Sequence, residues 1–228
     1  MCAGSLAAIR ANVIVTRNLL EVSTAAHAGR FVFVSSYWVY GRQSPHELPC
    51  SEDAELRPIE PYGATKALAE MLVRASGLPC SIVRLTNVFG AGQGGDSREI
   101  VSAMAESARD SSVVCVAGDG HETLDLVGLD EACAAIAQLA TNSARLSATV
   151  NLGSGQAMSV SEVATLVAET AAHELARPVN VEHRAASPGI RFSKAVSVDR
   201  LRSLVGYPRQ DARAAIRQFV ARLVARTG

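Results

Sequence analysis

The sequence predicts an α/β fold built on an open parallel sheet, and three observations carry that reading. Short apolar, β-branched runs at residues 30–34, 80–85, 113–116 and 148–152 alternate with stretches of helical periodicity. The first of these runs ends in a cluster of hydroxyls, Ser35-Ser36-Tyr37, where open α/β sheets place their ligand crevices. The chain has 228 residues, 48% of them hydrophobic and 19% charged, enough to bury a sizeable core.

Residues 5–27 carry apolar positions at helical spacing, among them Ile9, Val13, Leu19, Leu20 and Val22, and Gly29 marks the expected stop. Arg30 to Val34 (RFVFV) reads as a buried strand delivering Ser36 at its carboxyl end. Residues 41–61 are polar and rich in Pro and acids, as suits a loop over a substrate crevice, with His46 a solvated loop residue. Then comes the helix PYGATKALAE, in which Tyr62 and Lys66 share a face at i and i+4.

That pair sets the chemistry. A phenol is a poor base at neutral pH, and any proton-transfer role needs its ionised form stabilised. An ammonium about 4 Å away at an effective dielectric near 20 supplies roughly 4 kcal/mol. Twenty of the 22 cations are Arg, and Lys occurs only at Lys66 and Lys194, so Lys66 stands where a compact ammonium suits the site. The competing reading is a surface helix that sets Tyr and Lys four apart by accident.

Gly77 and Pro79 turn the chain into the strand at residues 80–85, followed by Thr86 and Asn87. Gly90-Ala-Gly92-Gln-Gly94-Gly95 spells GxGxxG, but four residues separate it from its strand, whereas a dinucleotide turn follows its strand directly. It is read as a loop. A strand at 113–116, an Ala-rich buried helix at 130–140 and a strand at 148–152 follow; Ser159 or Ser161 caps the next helix, with Glu162 in its first turn.

The strand ending SSYWVYG, the PYGATK helix start, the IVRLTNVFG strand and turn, and GDG at residues 118–120 occur in one order. Together they resemble the extended short-chain dehydrogenase/reductase family, the NAD-dependent sugar epimerases and dehydratases, over about residues 12–208. The resemblance implies a partial Rossmann-like doubly wound parallel sheet (residues 1–90 and 132–153) with a small interleaved α/β substrate lobe (residues 91–131 and 154–228). It implies Tyr62 as general base and acid, Lys66 stabilising the phenolate and binding the nicotinamide ribose, and Ser36 hydrogen-bonding the same substrate oxygen. Asn12 and Thr86 match cofactor-facing positions and Asn87 a substrate-touching one, against plainer readings of Asn12 as an exposed helix residue and Asn87 as a turn cap. Val15 replaces a family Gly near Asn12.

Two departures refine the expectation. Where the family's dehydratases follow their Ser/Thr with Asp-Glu, this chain has Tyr37 and Trp38, so an epimerase or reductase is expected. The family's phosphate-gripping Arg before Asp125 is here Leu124, with Arg184 or Arg191 as substitutes; the expected substrate is a sugar or nucleotide-sugar, and the cofactor NAD or NADP. The family's first Gly-rich turn has no counterpart, so roughly the first 80 residues of a family member are absent from this chain. The alternative is a truncated, inactive remnant or binding module of the same family.

Charge and composition set the partners. The 22 acids balance 22 bases, which favours neither nucleic acid nor an anionic membrane surface. Five widely spaced cysteines without a CxxC read as reduced, mostly buried thiols and give no metal site. The N-terminus lacks a basic n-region and no run reaches a membrane span of about 18 apolar residues, so a cytoplasmic protein is expected, with a homodimer left open.

Overall fold

The structure is a computed structural model that describes residues 6–90, 99–141, 147–185, 193–208 and 211–225. The chain divides into two compact units, one of Met1–Thr86, Cys133–Leu152 and Val196–Pro208, the other of Asn87–Ala132, Gly153–Ala195 and Arg209–Gly228. The expected boundaries placed all of residues 154–228 in the second lobe. Residues 196–208 belong instead to the first unit, because Val196 bridges to Cys50 and Arg200 reaches the Thr149 carbonyl and the Asp53 carboxylate.

The first unit begins with α1 (Leu6–Ala25). The expected stop at Gly29 falls instead at His27, which adopts a left-handed φ of 51°, while Ala28 N–H closes back on the Ser23 carbonyl. Its sheet is parallel, with β1 (Phe31–Ser36), β2 (Cys80–Leu85) and β6 (Ala148–Leu152) in the order β1-β2-β6. Phe33 pairs with Ile82 and Ser36 with Leu85, so the carboxyl ends of β1 and β2 lie side by side. β1 was expected to be buried throughout; it is buried only at Ser35 and Ser36, since it forms the edge of the described sheet and leaves Val34 37% exposed.

α2 (Pro61–Ala75) packs on β1 and on the 3-10 turn Tyr37–Val39. Pro61 opens it at a position where no N–H is needed, and Glu60 caps it, its carboxylate accepting the N–H groups of Tyr62 and Gly63 at 2.9 and 2.5 Å. The fit to the turn is close: a Cβ on Gly63 would overlap the Trp38 carbonyl oxygen. Glycine is therefore what lets this helix start reach the end of β1.

Beneath this surface lies a buried charged set. Arg84, next to the last residue of β2, holds the Glu70 carboxylate in a two-pronged pair at 3.1 and 2.9 Å; Ser35 Oγ donates to the same carboxylate at 2.6 Å. Arg84 also donates to the Tyr40 hydroxyl at 3.0 Å, which in turn donates to Asn151 Oδ1 at 2.6 Å. Burial alone would raise the Glu70 carboxyl, but the hydrogen bonds and charge of Arg84 outweigh it and hold the group below the usual carboxylate range. Desolvation pushes the Tyr40 phenol up to about 12.

The second unit holds β3 (Asn87–Phe89), α3 (Ile100–Ser111), β4 (Val113–Ala117), β5 (Thr123–Gly128), β7 (Ala157–Ser159), α5 (Val160–Leu175), β8 (Asn180–Arg184) and α7 (Ala212–Val224). β3 runs parallel and β7 antiparallel to β5, and β4 pairs with β8 in parallel. α3, α5 and α7 enclose a continuous apolar core that includes Val101, Leu126, Val167 and Ile216. Asp125 is its buried charge, accepting hydrogen bonds from Ser154 N–H, Ser154 Oγ and Gly155 N–H at 2.7 to 3.1 Å. Ser159, rather than Ser161, caps α5 in a capping box with Glu162.

Between the units in sequence, α4 (Leu129–Thr141) is amphipathic, burying Ala132, Ala135 and Leu139 while Ala134, Ala137 and Gln138 are exposed. The expectation of a buried helix is corrected to one buried face. α6 (Asp199–Val205) completes the first unit by burying Leu201.

Candidate active site

Ser36 closes β1. Its hydroxyl is buried and accepts the Trp38 N–H at 3.4 Å, which caps the 3-10 turn and fixes the oxygen at the carboxyl edge of the sheet. Two residues earlier, the Val34 carbonyl accepts a hydrogen bond from Lys66 Nζ at 2.9 Å. This bond pins α2 to β1. The same ammonium lies 5.9 Å from the Tyr62 ring centroid and 5.1 Å from that of Phe33, so it sits against the phenol that i, i+4 spacing predicts. Burial lowers the pKa of Lys66, because the charged form loses hydration.

Thr86 follows β2 directly, its N–H and its Oγ1 both directed at the Leu152 carbonyl, at 3.0 and 3.2 Å. The register that pairs Ser36 with Leu85 therefore sets Ser36 and Thr86 on neighbouring strand ends. Ser36, Tyr62, Lys66 and Thr86 thus gather at one end of the first unit's sheet. Asn12 is exposed on α1, where its backbone carbonyl accepts the Thr16 hydroxyl at 2.9 Å. Asn87 opens β3 in the second unit; its Oδ1 accepts a long hydrogen bond from Lys194 at 3.5 Å, and its Nδ2 is buried without a partner among the described residues.

Tyr37, at a position where an elimination acid was looked for, is buried with its hydroxyl 3.7 Å from Cys50 Sγ. Leu124 is buried in β5. Arg184 lies in β8 in an exposed ion pair with Glu182, while Arg191 and the glycines 92, 94 and 95 lie outside the described residues. Cys50 and Cys80 are buried free thiols, but Cys133 is exposed and Cys115 half-buried, which corrects the expectation of mostly buried cysteines; Cys2 is outside the described residues. Among the described residues no group of three or more His, Cys, Asp or Glu could hold a metal, and no helix is long and apolar enough to cross a membrane.

A family model described as NAD dependent epimerase/dehydratase family matches residues 3–153, more than half of the chain. The chain belongs to that family. The dTDP-L-rhamnose 4-epimerase of Burkholderia thailandensis is 36% identical over 128 residues, which cover 53% of this chain and 35% of that protein. The dTDP-glucose 4,6-dehydratase of Streptomyces niveus is 28% identical over 203 residues, 87% of this chain and 58% of the relative. Among solved structures, MoeE5 in complex with UDP-glucose and NAD superposes with a TM-score of 0.79 at 29% identity, over 95% of this chain and 71% of that one. The chain spans about a third to three fifths of the length of these curated epimerase and dehydratase relatives.

Sequence reading passed over three residues that shape this end of the epimerase/dehydratase fold. Glu60 caps the Tyr62 helix, and its signal was a carboxylate directly before Pro61. Arg84 in a mostly apolar strand announced a buried partner, which is Glu70. Each holds an element that carries a site residue.

The donor set fits a nicotinamide ribose. An ammonium offers three N–H groups, and among the described residues one of those of Lys66 is engaged, by the Val34 carbonyl. The others, with the Tyr62 hydroxyl, suit a vicinal diol.

Proposed function

We propose that this chain carries the proton-transfer half of an NAD- or NADP-dependent epimerase or reductase acting on a sugar or nucleotide-sugar. The observation that carries the reading is Lys66, anchored on the strand that ends in Ser36 and lying against the Tyr62 ring. The names of the relatives, a dTDP-sugar epimerase and a dehydratase, support the substrate class.

In this reading Tyr62 takes the proton from a substrate hydroxyl as it becomes a carbonyl and returns it in the reverse direction. Lys66 lowers the cost of the phenolate by Coulombic attraction and holds the ribose with its remaining N–H groups. Ser36 donates to the same substrate oxygen, where negative charge develops. Thr86 lines the nicotinamide, Asn12 faces the cofactor from α1, and Asn87 serves the substrate. The cofactor, when bound, supplies and recovers the hydride. Tyr37, turned toward Cys50, leaves no acid for loss of water, which favours epimerisation or reduction over elimination.

The test is turnover of dTDP- and UDP-linked hexoses with NAD and NADP, using the chain within its native open reading frame. Tyr62→Phe is expected to lower kcat by about 10² to 10⁴. Unchanged turnover would sink the assignment, and a 4-keto-6-deoxy product would replace epimerisation or reduction with dehydration.

A further inference from the structure

Ser36, Tyr62, Lys66 and Thr86 sit on or directly after three elements, β1, α2 and β2, and one buried carboxylate joins these elements. Glu70 lies on α2, one turn beyond Lys66 and on the side of the helix that carries Tyr62. It accepts the Ser35 hydroxyl of β1 at 2.6 Å, one residue before Ser36, and the Arg84 guanidinium of β2 at 3.1 and 2.9 Å, two residues before Thr86. None of these groups meets a substrate. Side chains alternate along β1, so Ser35 points away from Ser36, and Glu70 and Arg84 are 0% and 3% exposed.

Stability does not account for the pair. Apolar groups of similar volume in place of a buried ion pair are often neutral or stabilising, because desolvation of two charges offsets their attraction. Direction is what the pair adds. A helix slides or turns on an apolar surface at little cost, whereas a guanidinium fork meets a carboxylate in a narrow range of geometries. Arg84 is itself held, donating to the Tyr40 hydroxyl at 3.0 Å and to the Glu52 backbone carbonyl at 2.9 Å, so the fork cannot follow the helix. The reach of Lys66 Nζ to the Val34 carbonyl, at 2.9 Å, depends on this height of α2 on β1.

We propose that Glu70 and Arg84, with Ser35, are positioning residues that set the register of α2 against β1 and β2 and so bring Tyr62 and Lys66 to the strand end that carries Ser36. The inference rests on the proton-transfer reading above and deepens it by naming what fixes its geometry.

The test uses the protein expressed from its native open reading frame. Lys66 and Lys194 are the two lysines of this chain, so carbon-13 lysine labelling gives a Cε signal for each, and Lys66→Arg assigns the one of interest. In the unaltered protein the Lys66 Hε protons are expected to be inequivalent, as in a pinned side chain. In Glu70→Leu with Arg84→Met they should average, and kcat with dTDP- or UDP-linked hexoses should fall about 10²-fold with KM little changed. The urea midpoint should stay close to that of the unaltered protein, which separates register from stability. Ser35→Ala removes only the tie to β1, at a side chain small enough to leave the fold in place, and should lower kcat about tenfold; Ser35→Thr keeps the hydroxyl and should restore it. Averaged Lys66 protons in the unaltered protein, or either a pinned Lys66 signal or an unchanged kcat in the double variant, would overturn the proposal. So would an unchanged kcat in Ser35→Ala, or a loss there that Ser35→Thr does not reverse. Wild-type turnover in Tyr62→Phe would instead sink the proton-transfer reading, while the lysine signal, which needs neither cofactor nor turnover, still reports the register.

Discussion

In the first unit Arg84, Glu70, Tyr40 and Asn151 form a buried polar set beneath the strand ends that carry Ser36 and Thr86; in the second, α3, α5 and α7 close over aliphatic side chains. The difference follows from what each strand end must do. A hydroxyl, a phenol and an ammonium aimed at one place need their backbones fixed to fractions of an ångström, and directional bonds fix position in a way that aliphatic contact does not. Arg84 ties β2 to α2 through Glu70, and Ser35 ties the same carboxylate to β1. The second unit gains its order mainly from volume and shape, with the Asp125 carboxylate and its Ser154 and Gly155 donors as its buried polar set.

The comparison breaks first at Glu70. Glu70→Ala leaves Arg84 buried without its main partner and is expected to cost about 3 to 5 kcal/mol. Trp38 is the chain's one tryptophan and lies in the first unit, so its fluorescence in urea reads the loss there. The double replacement Glu70→Leu with Arg84→Met should recover most of the stability while loosening α2 against β1. The pH dependence has a definite sign. The folded Glu70 carboxyl titrates below its usual value, so its contribution is complete above the unfolded carboxylate range near pH 4.3 and is lost as pH falls through the lowered folded value. Glu70→Gln should remove that acid-side loss; a loss of unchanged size would place the stabilising charge elsewhere.

Leu126→Ala makes the matching cut in the second unit. Leu126 is fully buried in β5, and its truncation is expected to cost about 2 to 5 kcal/mol through lost transfer energy and a residual cavity. Hydrogen exchange should quicken in β5, α5 and α7, with no dependence on pH between 4 and 7 beyond the chemical rate. A pronounced pH dependence would show that buried charge also governs this unit.

A smaller effect is expected from Gly63→Ala, which presses a methyl group on the Trp38 carbonyl and costs about 1 to 3 kcal/mol. Its more telling consequence is displacement of α2, so that the Lys66 to Val34 bond weakens. Loss of stability with hydrogen-exchange protection of α2 unchanged would mean that the close fit does not position the helix.

Much of the first unit could be read from the sequence because its signals are local. The i, i+4 pairing of Tyr62 and Lys66 and the apolar run before Ser36 each lie within ten residues and appear where expected, as does the equally local GDG turn of the second unit. What escaped depends on distance along the chain. The return of residues 196–208 to the first unit rests on Val196 meeting Cys50 and Arg200 meeting Asp53, partners more than 140 residues away that no periodicity encodes. His27 took the left-handed turn in place of Gly29 because hydrogen bonding at the end of α1, rather than the nearest glycine, sets where the helix stops. The edge position of β1 is likewise a property of its neighbours.

Apart from the buried bonds of Asp125, the second unit's polar bonds can be weighed at its surface, and Ser159 is the place to do it. Its hydroxyl accepts the Glu162 N–H at 3.1 Å, and the Glu162 carboxylate accepts the Ser159 N–H at 2.8 Å, so two otherwise unpaired donors at the start of α5 are satisfied at once. Hydrogen bonding from the Ser159 backbone, then from Arg213 on α7, holds the Glu162 carboxyl below its usual range. Ser159→Ala removes one acceptor at a half-exposed position, where water replaces part of the loss, and is expected to cost about 1 kcal/mol. Ser161, which the sequence left as an equal candidate, donates instead to the Asp119 carbonyl at 3.1 Å, so Ser161→Ala should change stability by no more than about 0.5 kcal/mol. Urea unfolding followed by circular dichroism distinguishes the two. If Ser161→Ala cost as much as Ser159→Ala, the start of α5 would be held by the turn before it rather than by its cap, and the second unit would share the first unit's reliance on directional bonds.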